Sequence, residues 1–120
     1  MTSLINNRKR AYESQGGICY YCGLPMWLEE DAEVLTDYLG LEAPQVKLLR
    51  CTAEHLHART DGGTNAGENI AAACYFCNSR RHRQRHDQAP EPDDYRARVK
   101  ARMASGHWHP ALSALGRWGS

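Results

Sequence analysis

Two groups of residues in this chain have the types and the spacing to do chemistry. The first is a pair of Cys-x-x-Cys units, Cys19–Cys22 and Cys74–Cys77. Four thiolates around one ion make a tetrahedral site with no open position, which is a structural zinc site and not a catalytic one. Such a site would tie the Cys19–Cys22 turn to the start of a helix beginning at Tyr75, and would supply much of a small domain's folding free energy. The second group is Glu54, His55, Asn69, Asn78 and His82. Asn78 and His82 stand four apart on an expected helix, so they project from one face. With the Glu54 carboxylate they could hold a divalent cation by three groups and leave room for water and substrate. Histidine, whose unperturbed pKa lies near neutrality, suits a general base, and His55 stands next to that carboxylate. Each residue also has a plainer reading. Asn78 can satisfy backbone groups at a helix start, Glu54 can pair with an arginine, and a lone histidine can be a solvated side chain. The combination is what points to a reactive centre.

The elements that must position these groups can be read in outline. Leu4–Gln15 reads as a short helix stopped by Gly16-Gly17, with a zinc-knuckle turn at Ile18–Gly23. Trp27–Leu41 is acidic, fits a helical face loosely and reads as an insertion ended by Pro44. Val46–His55 is the best strand candidate, and Thr60–Asn65 is a turn by composition. Asn69–Ala73 reads as a second strand, although alanine is a weak strand former. Tyr75–His86 should be a helix. Asp93 or Asp94 can cap a last one running to about Ser105, before an irregular tail from His107 to Ser120.

Composition narrows the class. At 120 residues the chain is expected to be one domain over 1–120. Its core would lie at about 18–86, an acidic insertion at 23–47, and a C-terminal helix and tail at 92–120. No apolar run is long enough to span a bilayer, and the first residues lack the apolar core of a signal peptide, so a cytoplasmic protein without a membrane partner is expected. In that setting paired Cys-x-x-Cys units favour a metal over disulfides. The fifth cysteine, Cys51, reads as a small buried hydrophobe. The net charge of +1 hides a separation. Residues 29–42 carry only acids, whereas Arg80, Arg81, Arg83 and Arg85 cluster on the expected helix. Those four arginines are the candidate nucleic-acid contacts, and Arg96, Arg98, Lys100 and Arg102 extend the basic set.

In order and spacing, Cys19-x-x-Cys22, Glu54-His55, Gly62-Gly63-Thr64-Asn65, Glu68-Asn69-Ile70 and Cys74-x-x-Cys77-Asn78-x-x-Arg81 resemble the HNH endonuclease family of the ββα-metal superfamily, in its zinc-stapled form. The resemblance covers about residues 18–85. It implies a small zinc-bound α+β domain with a ββα-metal core, a β-hairpin followed by a helix, and flanking helices. It makes His55 the general base and Asn69 the residue that holds the loop after the first strand. Glu54, Asn78 and His82 would be ligands of a catalytic Mg²⁺ or Mn²⁺, and the cysteines would be ligands of Zn²⁺. The implied function is hydrolysis of DNA phosphodiester bonds. For a two-strand cut so small a chain is expected to need a homodimer or an associated phage or restriction protein. The alternative is a non-catalytic zinc-stapled module that binds nucleic acid or protein. Two departures stand out: glutamate at 54 where aspartate is commoner, and arginine at 81 where many zinc-bearing members have lysine.

Overall fold

The computed structural model describes residues 3–28, 40–58, 62–83 and 89–112. The elements run α1 (Leu4–Ser14), α2 (Ala43–Leu48), β1 (Cys51–His55), β2 (Ile70–Cys74), α3 (Tyr75–Arg81) and α4 (Pro92–Ser105). A 3-10 turn, Gly67–Asn69, leads into β2. The result is a small α+β fold in which an antiparallel hairpin is followed directly by a helix. No helix among the described residues is long and apolar enough to cross a membrane.

The hairpin register pairs Cys51 with Cys74 and His55 with Ile70. All five residues of β2, Ile-Ala-Ala-Ala-Cys, are buried. Three alanines are poor strand formers, but their small side chains let neighbouring elements approach a strand covered on both faces. Gln15, the residue that ends α1, completes the edge of β2. Its amide accepts the Ala72 N–H at 3.0 Å and donates to the Ala72 carbonyl at 2.8 Å. The Tyr20 N–H donates to the same carbonyl at 2.9 Å, which docks the knuckle onto β2.

The strand expected from Val46 begins only at Cys51, because Val46–Leu48 belong to α2. Pro44 does not end an element. It sits in the first turn of α2, where a missing N–H costs nothing. Val46 and Leu49, three apart, are the buried pair of this turn. Residues 29–39, the middle of the expected insertion, lie outside the described residues. Its two ends are part of the core, with Leu24, Met26, Leu41 and Val46 all buried. Helix α3 closes at Arg81, earlier than expected, with His82 as its C-cap. Helix α4 starts ahead of the expected cap: Glu91 is the N-cap, Pro92 occupies the first turn, and Asp93 and Asp94 lie inside it. Gly106, at φ +79°, ends α4, and the His107 N–H returns to the Arg102 carbonyl at 2.9 Å. Tyr95 and Val99, four apart, put α4 on the core, where Tyr95 meets Tyr21 edge-on at 4.8 Å.

Candidate functional site

Cys19, Cys22, Cys74 and Cys77 converge at one end of the hairpin. Their four sulfurs lie within 4.8 Å of one another and all four residues are buried. Cys22 Sγ is 3.9 Å from Cys74 Sγ. Zinc–sulfur bonds of about 2.3 Å in a tetrahedron place sulfurs about 3.8 Å apart, so the spacing is that of ligands sharing an ion. A disulfide would need about 2.05 Å. Backbone N–H groups point at the sulfurs: Tyr21 and Cys74 donate to Cys19 Sγ at 3.3 Å, and Cys77 to Cys74 Sγ at 3.4 Å. The Trp108 indole N–H reaches Cys77 Sγ at 3.2 Å, so the segment after α4 covers the cluster. Gly23 permits the knuckle turn at φ +75°, a conformation that side-chain-bearing residues rarely adopt.

Burial pushes the thiols of Cys74 and Cys77 up, and Cys19 and Cys22 add to the shift of both, while Cys74 partly offsets that of Cys77. Burial acts the same way on Cys19, but hydrogen bonds from Cys22, Cys74 and Cys77 outweigh it and hold that thiol well below its ordinary value. Crowded thiols with no cation among them resist ionising together, and a bound cation removes the conflict. The cluster can bind a metal ion, and zinc fits its donor set. Cys51 stays outside the cluster as a buried thiol pushed up to about 11 by burial.

The other end of the hairpin is built around Glu54, which is wholly buried. Its Oε2 accepts the Tyr21 hydroxyl at 2.9 Å and pairs with Arg81 Nη1 at 3.2 Å. Its Oε1 faces His82 Nε2 at 3.0 Å. Burial first, and the Glu54 charge second, hold the Tyr21 phenol well above its ordinary value, so it remains a donor. Asn78 sits one turn before His82 on α3. Its Nδ2 donates to Thr52 Oγ1 at 2.9 Å and to the Ala53 carbonyl at 3.3 Å. Thr52 and Glu54 alternate onto one face of β1, so Asn78 and His82 confront them in step.

Arg81 departs from the expected phosphate contact. It is 3% exposed, and its guanidinium serves the fold. Nη1 donates to the His55 carbonyl at 3.0 Å, Nη2 to the Leu56 carbonyl at 2.8 Å, and Nε and Nη2 to the Pro90 carbonyl at 3.0 and 2.8 Å. One planar fork thereby ties the end of β1, the Glu54 carboxylate and the approach to α4. Only a planar multi-donor group suits that task. Arg80 and Arg83 are exposed, and Arg80 also lies over the Phe76 ring at 4.4 Å. Arg85 lies outside the described residues.

His55 is half-buried at the end of β1, with Nε2 2.8 Å from Asn65 Oδ1. Asn69 grips the loop that follows. Its Oδ1 accepts the His57 N–H at 2.8 Å, and its Nδ2 donates to the carbonyls of His57 at 3.1 Å and Thr64 at 2.7 Å. Gly63 is required here: a Cβ on it would stand 1.7 Å from the His57 carbonyl oxygen. The structure thus brings Glu54 and His82 together, places Asn78 beside them against β1, and sets His55 one residue further along the strand. Sequence reasoning missed Tyr21, Asn65 and the buried duty of Arg81. The only signal for the last was the general possibility that Glu54 pairs with an arginine.

Residues 43–84 match the family model described as HNH endonuclease. No curated protein and no solved structure matches the chain. The matched stretch contains α2, the hairpin and α3. Cys19 and Cys22, from outside it, complete a cysteine cluster of the kind expected for the zinc-stapled subgroup. Over residues 43–84 the chain is therefore similar to the HNH endonuclease family.

Proposed function

We propose that this protein is a divalent-metal-dependent endonuclease that hydrolyses DNA phosphodiester bonds. One observation carries the reading. Within the matched hairpin and helix, Glu54 Oε1 and His82 Nε2 stand 3.0 Å apart, next in sequence to a half-buried histidine. Two adjacent ligands of an octahedral cation, each at about 2.1 Å, are separated by about 3.0 Å, so the pair fits a shared divalent ion. Glu54, His82 and the amide oxygen of Asn78 would hold it, with Mg²⁺ or Mn²⁺ suited to the oxygen ligands. When bound, such an ion supplies Lewis-acid stabilisation of the scissile phosphate and of the leaving oxygen. His55 takes the proton from the attacking water. Asn69 keeps the loop behind His55 in place, and Arg81 holds the His55 carbonyl and the Glu54 carboxylate. Exposed Arg80 and Arg83 would meet phosphates, giving salt-dependent affinity without base readout.

A second reading is a non-catalytic zinc-stapled binding module. The burial of Glu54, already held by Tyr21 and Arg81, is the observation that favours it. Plasmid nicking with Mg²⁺ or Mn²⁺ separates the two. Wild type should nick, and His55→Ala should lose about 10²- to 10⁴-fold in rate. DNA binding without cleavage in any divalent metal would leave the second reading standing.

A further inference from the structure

We propose that Asn65, anchored from behind by Asn7 of α1, is the positioning residue for His55, and that it selects the imidazole tautomer with a free Nδ1. The catalytic half of this inference rests on the nuclease reading above. His55 ends a strand and is only half-buried, so packing alone does not set its ring angle. What touches its ring is Asn65 Oδ1, 2.8 Å from Nε2. An amide oxygen only accepts, so Nε2 carries the hydrogen, and in the neutral ring Nδ1 keeps the lone pair. A general base needs that lone pair directed at its water, in a fixed place.

Asn65 lies in a loop, and a loop residue orients another group only if it is itself held. Two contacts hold it. The Asn65 carbonyl accepts Asn7 Nδ2 at 2.8 Å, across a separation of 58 residues. Its neighbour Thr64 is held by Asn69 Nδ2 at 2.7 Å. Asn7 is 3% exposed, and it is the one buried residue of α1. A polar side chain at that depth on an otherwise polar helix marks a specific contact and not general packing. The loop backbone lies directly on it, since a Cβ added to Gly67 would come 3.5 Å from Asn7 Oδ1. Helix α1 lies outside the family match at residues 43–84. Through Asn7 and Asn65 it nonetheless reaches the candidate base in two hydrogen bonds.

The test pairs NMR of the histidine ring nitrogens with nicking kinetics on the full zinc-loaded chain. In wild type, His55 should be a single tautomer protonated at Nε2. Asn65→Ala should turn it into a mixture and lower kcat about 10- to 100-fold, with KM held within about twofold. Asn65→Asp retains an acceptor, so the Nε2–H tautomer should return. Asn7→Ala should give the same tautomer mixing in weaker form. If Asn65→Ala leaves the tautomer and kcat where they were while wild type nicks DNA, the positioning proposal falls and the nuclease reading survives. If wild type never nicks while Asn65→Ala still releases the tautomer, the nuclease reading falls and the Asn65–His55 contact stands.

Discussion

The two ends of one five-residue-paired hairpin have been put to opposite uses. At the Cys51–Cys74 end every sulfur of the cluster is buried, backbone N–H groups face two of the sulfurs, and an indole covers a third. At the His55–Ile70 end the carboxylate is buried, but the histidines at 55 and 82 reach the surface. A closed donor set gives stability and no reactivity, because no position is left for a substrate. An open one gives up some packing to admit water. Helix α3 joins the two: Cys77 belongs to the closed end, and Asn78, its neighbour, faces the open one. A metal bound at the cysteines would therefore set the start of the helix that carries Asn78, Arg81 and His82.

The comparison is most severely tested by removing metal from the closed end. Chelation, or Cys74→Ser, should abolish the cooperative thermal transition. The loss should be on the order of 10 kcal/mol, the scale of structural zinc in small domains. A Cys74→Ser chain with full metal content and an unchanged melting curve would show that the four cysteines do not share an ion. Arg81→Ala comes next. It strips Glu54 of its buried partner and three carbonyls of their donor, and should cost roughly 3–5 kcal/mol in urea unfolding. Arg81→Lys should recover part of this, since a point charge lacks the fork. If Arg81→Ala weakened DNA binding with stability untouched, the arginine would be a phosphate contact after all.

A smaller effect comes from His109, which packs on Phe76 near the cysteine end and is 3% exposed. Burial pushes its pKa down from 6.5 to about 4, against opposing contributions from the Leu48 backbone and Cys19. The fold holds it neutral, so its share of stability is complete above the unfolded value. That share drains as pH falls from about 6.5 to about 4, by about 3 kcal/mol in all, as the unfolded chain takes the proton first. Subtracting the stability–pH curve of His109→Gln from that of wild type removes proton uptake by the cysteines, common to both. A flat difference across that window would remove His109 from the account. His55→Ala should move stability least, by about 0.5 kcal/mol or less, since the residue is only partly buried. A large loss of stability there would mean that the open end is structural too, and the contrast between the two ends would collapse.

Residue spacing carried much of this organisation. Two Cys-x-x-Cys units in a short chain leave few ways to satisfy four thiols, and Glu54-His55, Asn69 and Asn78-x-x-x-His82 preserved their order around them. The hairpin followed by a helix was legible because the Gly62-Gly63 turn and the second cysteine pair punctuate it. The start of β1 was not, because Val46–Leu49 carries apolar residues that suit a strand or a short helix equally, and Pro44 decides for the helix only once it stands in a first turn. The charge cluster at Arg80–Arg85 was legible as a cluster, yet adjacent members went separate ways: Arg80 outward, Arg81 inward.

By itself the sequence determined the chemistry on offer: the thiol set, the acid–histidine pair, and the glycines where backbone must turn or approach closely. Those depend on residue type and short spacing, which local geometry reads directly. Only the tertiary structure decided which groups were already engaged. Glu54 meets Tyr21 from 33 residues away and Arg81 from α3. His55 meets Asn65, and Asn65 meets Asn7 from another helix. A buried carboxylate or guanidinium must find partners, because leaving it unpaired costs several kcal/mol. Which partners it finds depends on what folding brings within about 3 Å, and no spacing along the chain records that.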